Sequence, residues 1–131
     1  MSRLVLDASA AVSTLVPGLL RDRTLAAIAG HDLVAPALVD TEVLSALARL
    51  ERAGAITAAE AERAVEAWAI VPCDRLETSS LVPEIWRLHT TLRVADAHYV
   101  ALARALGAPL LTADARLARA PLHDVTVVAV R

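Results

Sequence analysis

The segment LVLDASAAVSTL, residues 4–15, decides the expected fold because a strand-like run passes directly into a helical one. Leu4 to Leu6 favours a β-strand, and Ala8 to Leu15 favours a helix that stops before Pro17. Asp7 stands at the junction between these two elements. Carboxylates gathered beside core segments repel one another unless protons or a cation compensate. Asp7 is the first of four acids placed in this way along the chain.

Strand-like and helical segments alternate along the rest of the chain, which predicts a parallel sheet with right-handed crossovers. We therefore expect one α/β domain over residues 1–131, a three-layer sandwich whose central parallel sheet has four to five strands flanked by helices. Further strands are expected at Leu33 to Ala35, Ile70 to Val71, Leu110 to Thr112 and Thr126 to Val130. Further helices are expected at Leu19 to Ala29, from Val39 to a stop at Gly54, from a Thr57 cap paired with Glu60 onwards, within Glu77 to Leu92, and at Ala95 to Leu106 and Ala115 to Ala118.

The composition favours a folded cytoplasmic protein. Hydrophobic residues make up 56% of the chain, and charged residues interrupt every apolar run before it reaches the roughly 18 residues of a membrane span. The lone Cys73 fits a reducing compartment and a place in the core. The net charge is −2, and every basic residue is Arg. That bias has two interpretations, which can hold together: GC-rich codons, or a need for the bidentate phosphate contacts that Lys cannot make.

Four acids are expected to meet at one edge of the sheet. Asp7 follows the first strand, and Asp114 lies two residues beyond the strand that ends at Thr112. Glu42 and Asp96 fall in the first turns of helices that open onto the same edge, where open α/β sheets bind ligands. Each acid alone could serve as a helix cap or complement a helix dipole. Together they predict a site for a hard divalent cation such as Mg²⁺.

Four segments carry a family resemblance, namely LVLDASA, PALVDTEVLSAL, ADAHYVALA and LLTADARL. In this order and spacing they resemble the acidic motifs of PIN-domain proteins, and more narrowly those of the VapC toxins of toxin–antitoxin modules. The resemblance implies a PIN-like sandwich and a ribonuclease dependent on Mg²⁺ or Mn²⁺, which hydrolyses RNA through a metal-activated water. The catalytic, metal-binding acids would be Asp7, Glu42, Asp96 and Asp114, with Ser9 or Thr112 in support. Ser45 departs from the pattern, since many relatives have Asn there.

The same resemblance implies partners. A cognate VapB-like antitoxin would block the acidic site, and the toxin itself would form a homodimer. The helical hairpin expected from Val39 to Trp68 is rich in Ala, Leu and Val, so an exposed apolar groove for an amphipathic antitoxin helix is expected there. No membrane partner is expected.

Other residues receive narrower predictions. Arg93 and Arg116 flank the acidic motifs closely enough to touch phosphates, whereas Arg49 and Arg52 share the helix of Glu42. For each of these arginines a solvated surface position is the alternative. His98 lies two residues from Asp96, which points it about 200° away on a helix, so a catalytic role for His98 is not expected. Trp68 and Trp86 fall at the apolar spacing of their helices, which favours core or interface packing over base stacking.

Two other functional classes stay open. A phosphoryl-transfer domain is disfavoured, because a receiver needs a late Lys and the chain has none, and a haloacid-dehalogenase-like phosphatase needs a second Asp where this chain has Ser9. A catalytically silent binding or scaffolding module of the same fold would keep the sheet but lack a specific metal site.

Overall fold

A five-stranded, fully parallel sheet forms the centre of the protein. The computed structural model describes residues 2–131. The strands run in the order β3-β2-β1-β4-β5 across the sheet. Their bounds are Arg3–Leu6 (β1), Asp32–Pro36 (β2), Cys73–Leu76 (β3), Leu110–Thr112 (β4) and Val127–Ala129 (β5). The predicted parallel α/β sandwich is therefore confirmed.

In the part of the chain that the structure describes, seven α-helices connect these strands. Right-handed crossovers place the helices that precede β3 on one face, and the helices of the return to β4 and β5 on the other, which gives three layers. The longest helix of the second group, α6, packs against β1, β2 and β4. The helices are Ala8–Leu15 (α1), Arg21–Ile28 (α2), Val39–Arg52 (α3), Ala58–Ile70 (α4), Val82–Arg87 (α5), Val94–Leu106 (α6) and Ala115–Ala118 (α7), with 3₁₀ turns at Ser79–Leu81 and Leu88–Thr90.

From β1 the chain proceeds outward through β2 to β3, and it then returns to the other side of β1 to form β4 and β5. The direction in which strands are added therefore changes between β1 and β4. Val5 pairs with Leu110 and Leu6 with Leu111, and all four side chains are buried. Crevices at the carboxyl ends of strands on either side of such a reversal are the usual ligand sites of open α/β sheets. This topology fixes where a functional site is expected.

The predicted cap of α4 is present with both of its hydrogen bonds. The Glu60 amide donates to the Thr57 hydroxyl at 3.0 Å, and the Thr57 amide donates to Glu60 Oε1 at 2.9 Å. This reciprocal pair satisfies two backbone amides that the helix start leaves free. Because this start follows the end of α3 by a few residues, the two helices form the expected hairpin.

A polar cluster, the Asp40 cluster, fastens this hairpin to the edge strand β3. Arg75 Nη2 donates to Asp40 Oδ1 at 2.9 Å, and Trp68 Nε1 donates to the same oxygen at 2.8 Å. The Arg75 guanidinium also lies 4.5 Å from the centre of the Trp68 ring, a favourable cation–π arrangement. The Arg75 hydrogen bond is the largest reason that the pKa of Asp40 lies below its ordinary value.

Several sequence predictions need correction. The third strand was expected at Ile70 to Val71, but α4 continues through Ile70 and the strand begins at Cys73, after Pro72. Ile70 is 83% exposed, so its β-favouring side chain ends a helix instead of entering the sheet. The second helix is shorter than expected, since it covers Arg21–Ile28.

Trp86, for which core or interface packing was expected, does not join the core: it is 64% exposed and stacks on the His89 ring with centroids 3.8 Å apart. Val65, an apolar residue of α4, is 40% exposed. Trp68, by contrast, is buried in the main core as expected. Helical spacing alone does not decide which of two adjacent stripes meets the sheet. Among residues 2–131, no helix combines the length and apolar character needed to cross a membrane.

Candidate active site

A cleft of about 680 Å³ opens at the carboxyl edge of β1 and β4, and all four predicted acids line it. The acids reach it from four elements: the ends of β1 and β4 and the first turns of α3 and α6. The structure thus brings together every acid that the sequence singled out, and those acids are Asp7, Glu42, Asp96 and Asp114.

Asp7 is the most firmly held of the four acids. It caps α1, where its Oδ1 accepts hydrogen bonds from the Ala10 amide at 2.9 Å and from the Ser9 hydroxyl at 2.7 Å. Its Oδ2 accepts a hydrogen bond from the Thr112 hydroxyl at 2.7 Å. Both oxygens are therefore oriented by groups on two different elements.

Ser9 and Thr112 extend this network across the two central strands. The Ala113 amide donates to Ser9 Oγ at 3.0 Å, and the Asp114 amide donates to Thr112 Oγ1 at 2.9 Å. The two hydroxyl oxygens lie 3.2 Å apart. Because Thr112 touches Asp7 and also accepts from the backbone of Asp114, the network sets the relative positions of these two acids.

Burial makes the Asp7 carboxylate costly to ionise. The residue is 5% exposed, and removal from water raises the pKa of Asp7 to about 6, although hydrogen bonds from Thr112, Ala10 and Ser9 oppose the rise. The negative charge of Asp96 adds a smaller upward contribution. A charged group held at such a cost is typical of functional sites, where a cation or substrate later compensates it.

Glu42 is positioned by a tyrosine. The Tyr99 hydroxyl donates to Glu42 Oε1 at 2.6 Å, and the Tyr99 side chain is buried. Burial first, and then the hydrogen bond to Glu42, raise the pKa of Tyr99, with further upward contributions from the charges of Asp7 and Asp96. Tyr99 therefore stays a neutral hydrogen-bond donor in the middle of the acids.

The other two acids each pair with an arginine from their own segment. Arg93 Nε donates to Asp96 Oδ2 at 3.0 Å and Arg93 Nη2 to Asp96 Oδ1 at 3.3 Å. Arg116 Nη2 donates to Asp114 Oδ2 at 3.0 Å. Partial burial raises the pKa of Asp114, but the hydrogen bonds and charge of Arg116 outweigh it, so the pKa lies below its ordinary value.

The four acids offer the type of ligand atom that a hard cation binds, since Mg²⁺ and Mn²⁺ prefer carboxylate oxygens. Within residues 2–131, no three acidic, histidine or cysteine side chains are arranged to hold a metal ion as they stand. The ion pairs of Asp96 and Asp114 account for part of this, because their oxygens face guanidinium groups. A cation would need these side chains to turn.

The other residues considered from the sequence lie either in the cleft or away from it. Ser45 and Arg49 line the cleft beside Glu42, and Arg93 lines it beside Asp96. His98 Nδ1 lies 2.8 Å from the Val94 carbonyl oxygen, one turn earlier on its own helix. This contact agrees with the prediction that His98 points away from the acids.

Sequence reasoning did not single out Tyr99, although a signal was present. Tyr99 lies three residues after Asp96, which places both side chains on the same face of α6. A hydroxyl-bearing residue in an otherwise apolar helix, on the face of a candidate ligand, is a detectable pattern. Its partner Glu42 lies 57 residues away, so the contact itself needs the tertiary structure.

Comparison with known proteins gives consistent matches. Residues 4–122 match the PIN domain family. Ribonuclease VapC3 of Mycobacterium tuberculosis is 46% identical over 119 residues, which cover 90% of this chain and 87% of that protein. Ribonuclease VapC9 of the same organism is 40% identical over 115 residues, or 87% of each chain. Ribonuclease VapC12 is 33% identical over 124 residues, covering 95% of this chain and 96% of that protein.

A solved structure shares the fold. A chain in the crystal structure of VapBC2 from Rickettsia felis, bound to a DNA fragment from their promoter, superposes with a TM-score of 0.68. The match covers 97% of this chain and 98% of that chain, at 11% sequence identity. At this identity the likeness concerns the fold alone.

Proposed function

The chain belongs to the PIN-domain family, in its VapC branch, and we propose that Asp7, Glu42, Asp96 and Asp114 form the site at which it cleaves RNA. The protein is a PIN-domain ribonuclease of the VapC type, and we propose that it acts as the toxin of a VapBC-type toxin–antitoxin module. The observation that carries the site assignment is the convergence of four carboxylates from four separate segments on one cleft.

We propose that Mg²⁺ or Mn²⁺ is the cofactor of this cleft. When bound, such an ion would supply an acidified water and offset the negative charge that builds on the phosphoryl oxygens. Asp7, Asp96 and Asp114 would hold the ion, with Glu42 either completing the site or orienting the attacking water. The raised pKa of Asp7 supports this assignment, because a buried carboxylate gains most from a compensating cation.

The chain's own residues would orient the acids and the substrate. Ser9 and Thr112 hold the Asp7 carboxylate in one rotamer, which limits the reorganisation needed when a ligand binds. Tyr99 does the same for Glu42. Arg49 lines the same cleft and carries a positive charge that suits an incoming RNA phosphate.

We propose that the partner is a VapB-type antitoxin, because the chain belongs to the VapC family. We propose that part of its chain enters the same cleft. Beside the acids the cleft is walled by the apolar side chains of Val12, Ala46, Leu50 and Ala53, so an amphipathic helix could bury its apolar face there while it covers the carboxylates. Ala46 and Leu50 of this wall lie on α3, within the hairpin on which the sequence predicted a groove.

We also propose that the toxin is a cytoplasmic homodimer. The cytoplasm is where cellular RNA is made and translated. Val82 and Trp86 lie four residues apart on one face of α5 and are 58% and 64% exposed, an apolar pair that a second copy could cover. Light scattering of Trp86→Glu beside the wild type tests the dimer, and an unchanged mass would contradict a role for this face.

Induced expression in cells, followed by mapping of new RNA 5′ ends, tests the activity and identifies the substrate. Cuts at a defined site should vanish in Asp96→Asn, whereas the matched surface variant Asp124→Asn should cut like the wild type, because Asp124 lies outside the cleft. Equal cutting by the wild type and Asp96→Asn would contradict the site assignment. Because two of the acids are paired with arginines, the second candidate function is a catalytically silent binding module of the same fold. Such a module would produce no new RNA 5′ ends in cells and would show no specific Mn²⁺ binding in calorimetry.

A further inference from the structure

The four acids of the cleft fall into two pairs with different partners. Asp7 and Glu42 accept hydrogen bonds from hydroxyl groups and a backbone amide, which carry no net charge. Asp96 and Asp114 instead face guanidinium groups, from Arg93 and Arg116. The second pair thus already holds cations, at the positions where a divalent ion would need free oxygens.

Arg93 is the better placed of the two arginines. Its guanidinium spans both oxygens of Asp96, at 3.0 and 3.3 Å. The hydrogen bond and charge of Asp96 raise the pKa of Arg93 most, and the charges of Asp114 and Glu42 raise it further. The charges of three of the four acids therefore act on Arg93, as they would on a cation bound within the cluster.

Few contacts hold the Arg93 side chain beside Asp96. Its side chain is 65% exposed, whereas that of Asp96 is 17% exposed, so the arginine reaches into the cleft from its rim. Within the described residues 2–131, Arg93 makes no side-chain capping bond to its helix, although it occupies the N-cap position of α6. Turning the side chain outward would cost one ion pair and no helix cap.

We propose that Arg93 is a built-in counter-ion of the acidic cleft, displaced from Asp96 by the divalent cation and then available to bind an RNA phosphate. This proposal rests on the proposed function. A guanidinium keeps its proton at all ordinary pH values, so it leaves a carboxylate by displacement and not by titration. Once free it presents a planar fork that matches phosphate oxygens. Arg93 therefore couples metal binding to RNA binding, because the same guanidinium binds Asp96 before the metal arrives and the RNA phosphate afterwards.

A second ion pair provides a matched control. Glu84 and Arg87 have the same spacing of three residues, with Arg87 69% exposed and its Nη1 3.0 Å from Glu84 Oε2. Neither residue lines the acidic cleft, as far as residues 2–131 define its walls. Arg87→Gln therefore removes a similar charge without touching the proposed metal competition.

The first measurement is Mn²⁺ binding by isothermal titration calorimetry. Arg93→Gln should bind Mn²⁺ about two- to fivefold more tightly than the wild type, the range expected when one exposed ion pair no longer competes. Arg93→Lys, which keeps the charge, should lie between the two, and Arg87→Gln should match the wild type. Equal affinity in all four proteins would overturn the inference while leaving the proposed nuclease function intact. Absence of Mn²⁺ binding in all of them would overturn both.

A second measurement needs no variant. In a Mg²⁺ titration of the wild type followed by NMR, the Nε–Hε resonance of Arg93 should change its chemical shift and its relaxation should report a more mobile side chain, whereas the Arg87 resonance should not change. An Arg93 resonance whose chemical shift and relaxation stay the same when Mg²⁺ is bound would overturn the displacement step. This readout remains valid even if the Arg93 variants fold poorly.

The RNA step is tested with a short single-stranded 2′-O-methyl phosphorothioate RNA, which resists hydrolysis. At saturating Mn²⁺, Arg93→Gln should bind this probe more weakly, and the slope of log affinity against log salt should become shallower by about 0.7, as expected for one lost phosphate contact. An unchanged slope would show that the released Arg93 does not bind phosphate.

Discussion

Helix α3 carries two acids that belong to clusters of opposite electrostatic character. Asp40 joins the Asp40 cluster, where Arg75 holds its pKa below the ordinary value. Glu42, two residues later, enters the acidic cleft, where burial raises the pKa of Asp7 to about 6. The first cluster pairs its acid with an arginine at an edge strand, whereas the second gathers four acids at the centre of the sheet, two of which accept hydrogen bonds only from uncharged groups. The comparison shows that the Asp40 cluster stabilises the folded state, whereas the acidic cleft holds carboxylates for a ligand at a cost in folding stability.

The largest expected effect is on RNA cleavage by Asp7→Asn. Loss of a carboxylate aimed at the reacting centre should lower the cleavage rate by about 100-fold or more. Asp40→Asn should cleave at nearly the wild-type rate, because Asp40 contacts Arg75 and Trp68 and not the cleft. Single-turnover cleavage of a mapped substrate measures both. Similar losses in the two variants would erase the distinction between the clusters.

The same Asp7→Asn variant should be more stable than the wild type at neutral pH without metal. Because the folded-state pKa of about 6 exceeds the ordinary value of 3.8, folding stability declines as pH rises from about 4 to about 6. Asn fills the same space without the charge, so the gain should be up to about 3 kcal/mol at neutral pH and should vanish near pH 4.

Denaturant unfolding at the two pH values, in the presence of a chelator, tests this gain. A variant that is less stable than the wild type at neutral pH would show that the Asp7 hydrogen bonds outweigh the cost of burying its charge.

Tyr99→Phe tests how far positioning matters inside the cleft. The change removes the hydroxyl that holds Glu42 and keeps the buried ring. Loss of such a supporting hydrogen bond should lower the cleavage rate about tenfold. Val100→Ala, a core change on the same helix, controls for loss of packing. If both variants retain full activity at a temperature where they are folded, Glu42 does not depend on Tyr99.

The smallest expected effect is the stability loss of Asp40→Asn. Its carboxylate has a lowered pKa in the folded state, so its contribution is present at neutral pH and is lost as pH falls through the folded-state value. The Asp40 side chain is 47% exposed, which limits the loss to about 1 kcal/mol. Unfolding midpoints of the variant and wild type should converge in acid. A difference that grows in acid would contradict this account.

Much of the fold could be predicted from the sequence because local signals agreed with one another. The run of Leu4 to Leu6 before Asp7 and the reciprocal cap of Thr57 and Glu60 both form as expected. The strand expected at Ile70 to Val71 was wrong, because β-favouring side chains also occur at exposed helix ends. Pro72 then prevents the helix from continuing, and the strand starts one residue later.

The sequence by itself determined the alternation of strands and helices, and through it the edge of the sheet at which Asp7, Glu42, Asp96 and Asp114 meet. These features follow from periodicity and from the handedness of crossovers, which act over short stretches of chain. Only the tertiary structure decided the contacts themselves: the Tyr99 hydroxyl on Glu42 Oε1 and the Thr112 hydroxyl on Asp7 Oδ2. Such contacts depend on rotamers and on burial, which are set when distant segments pack.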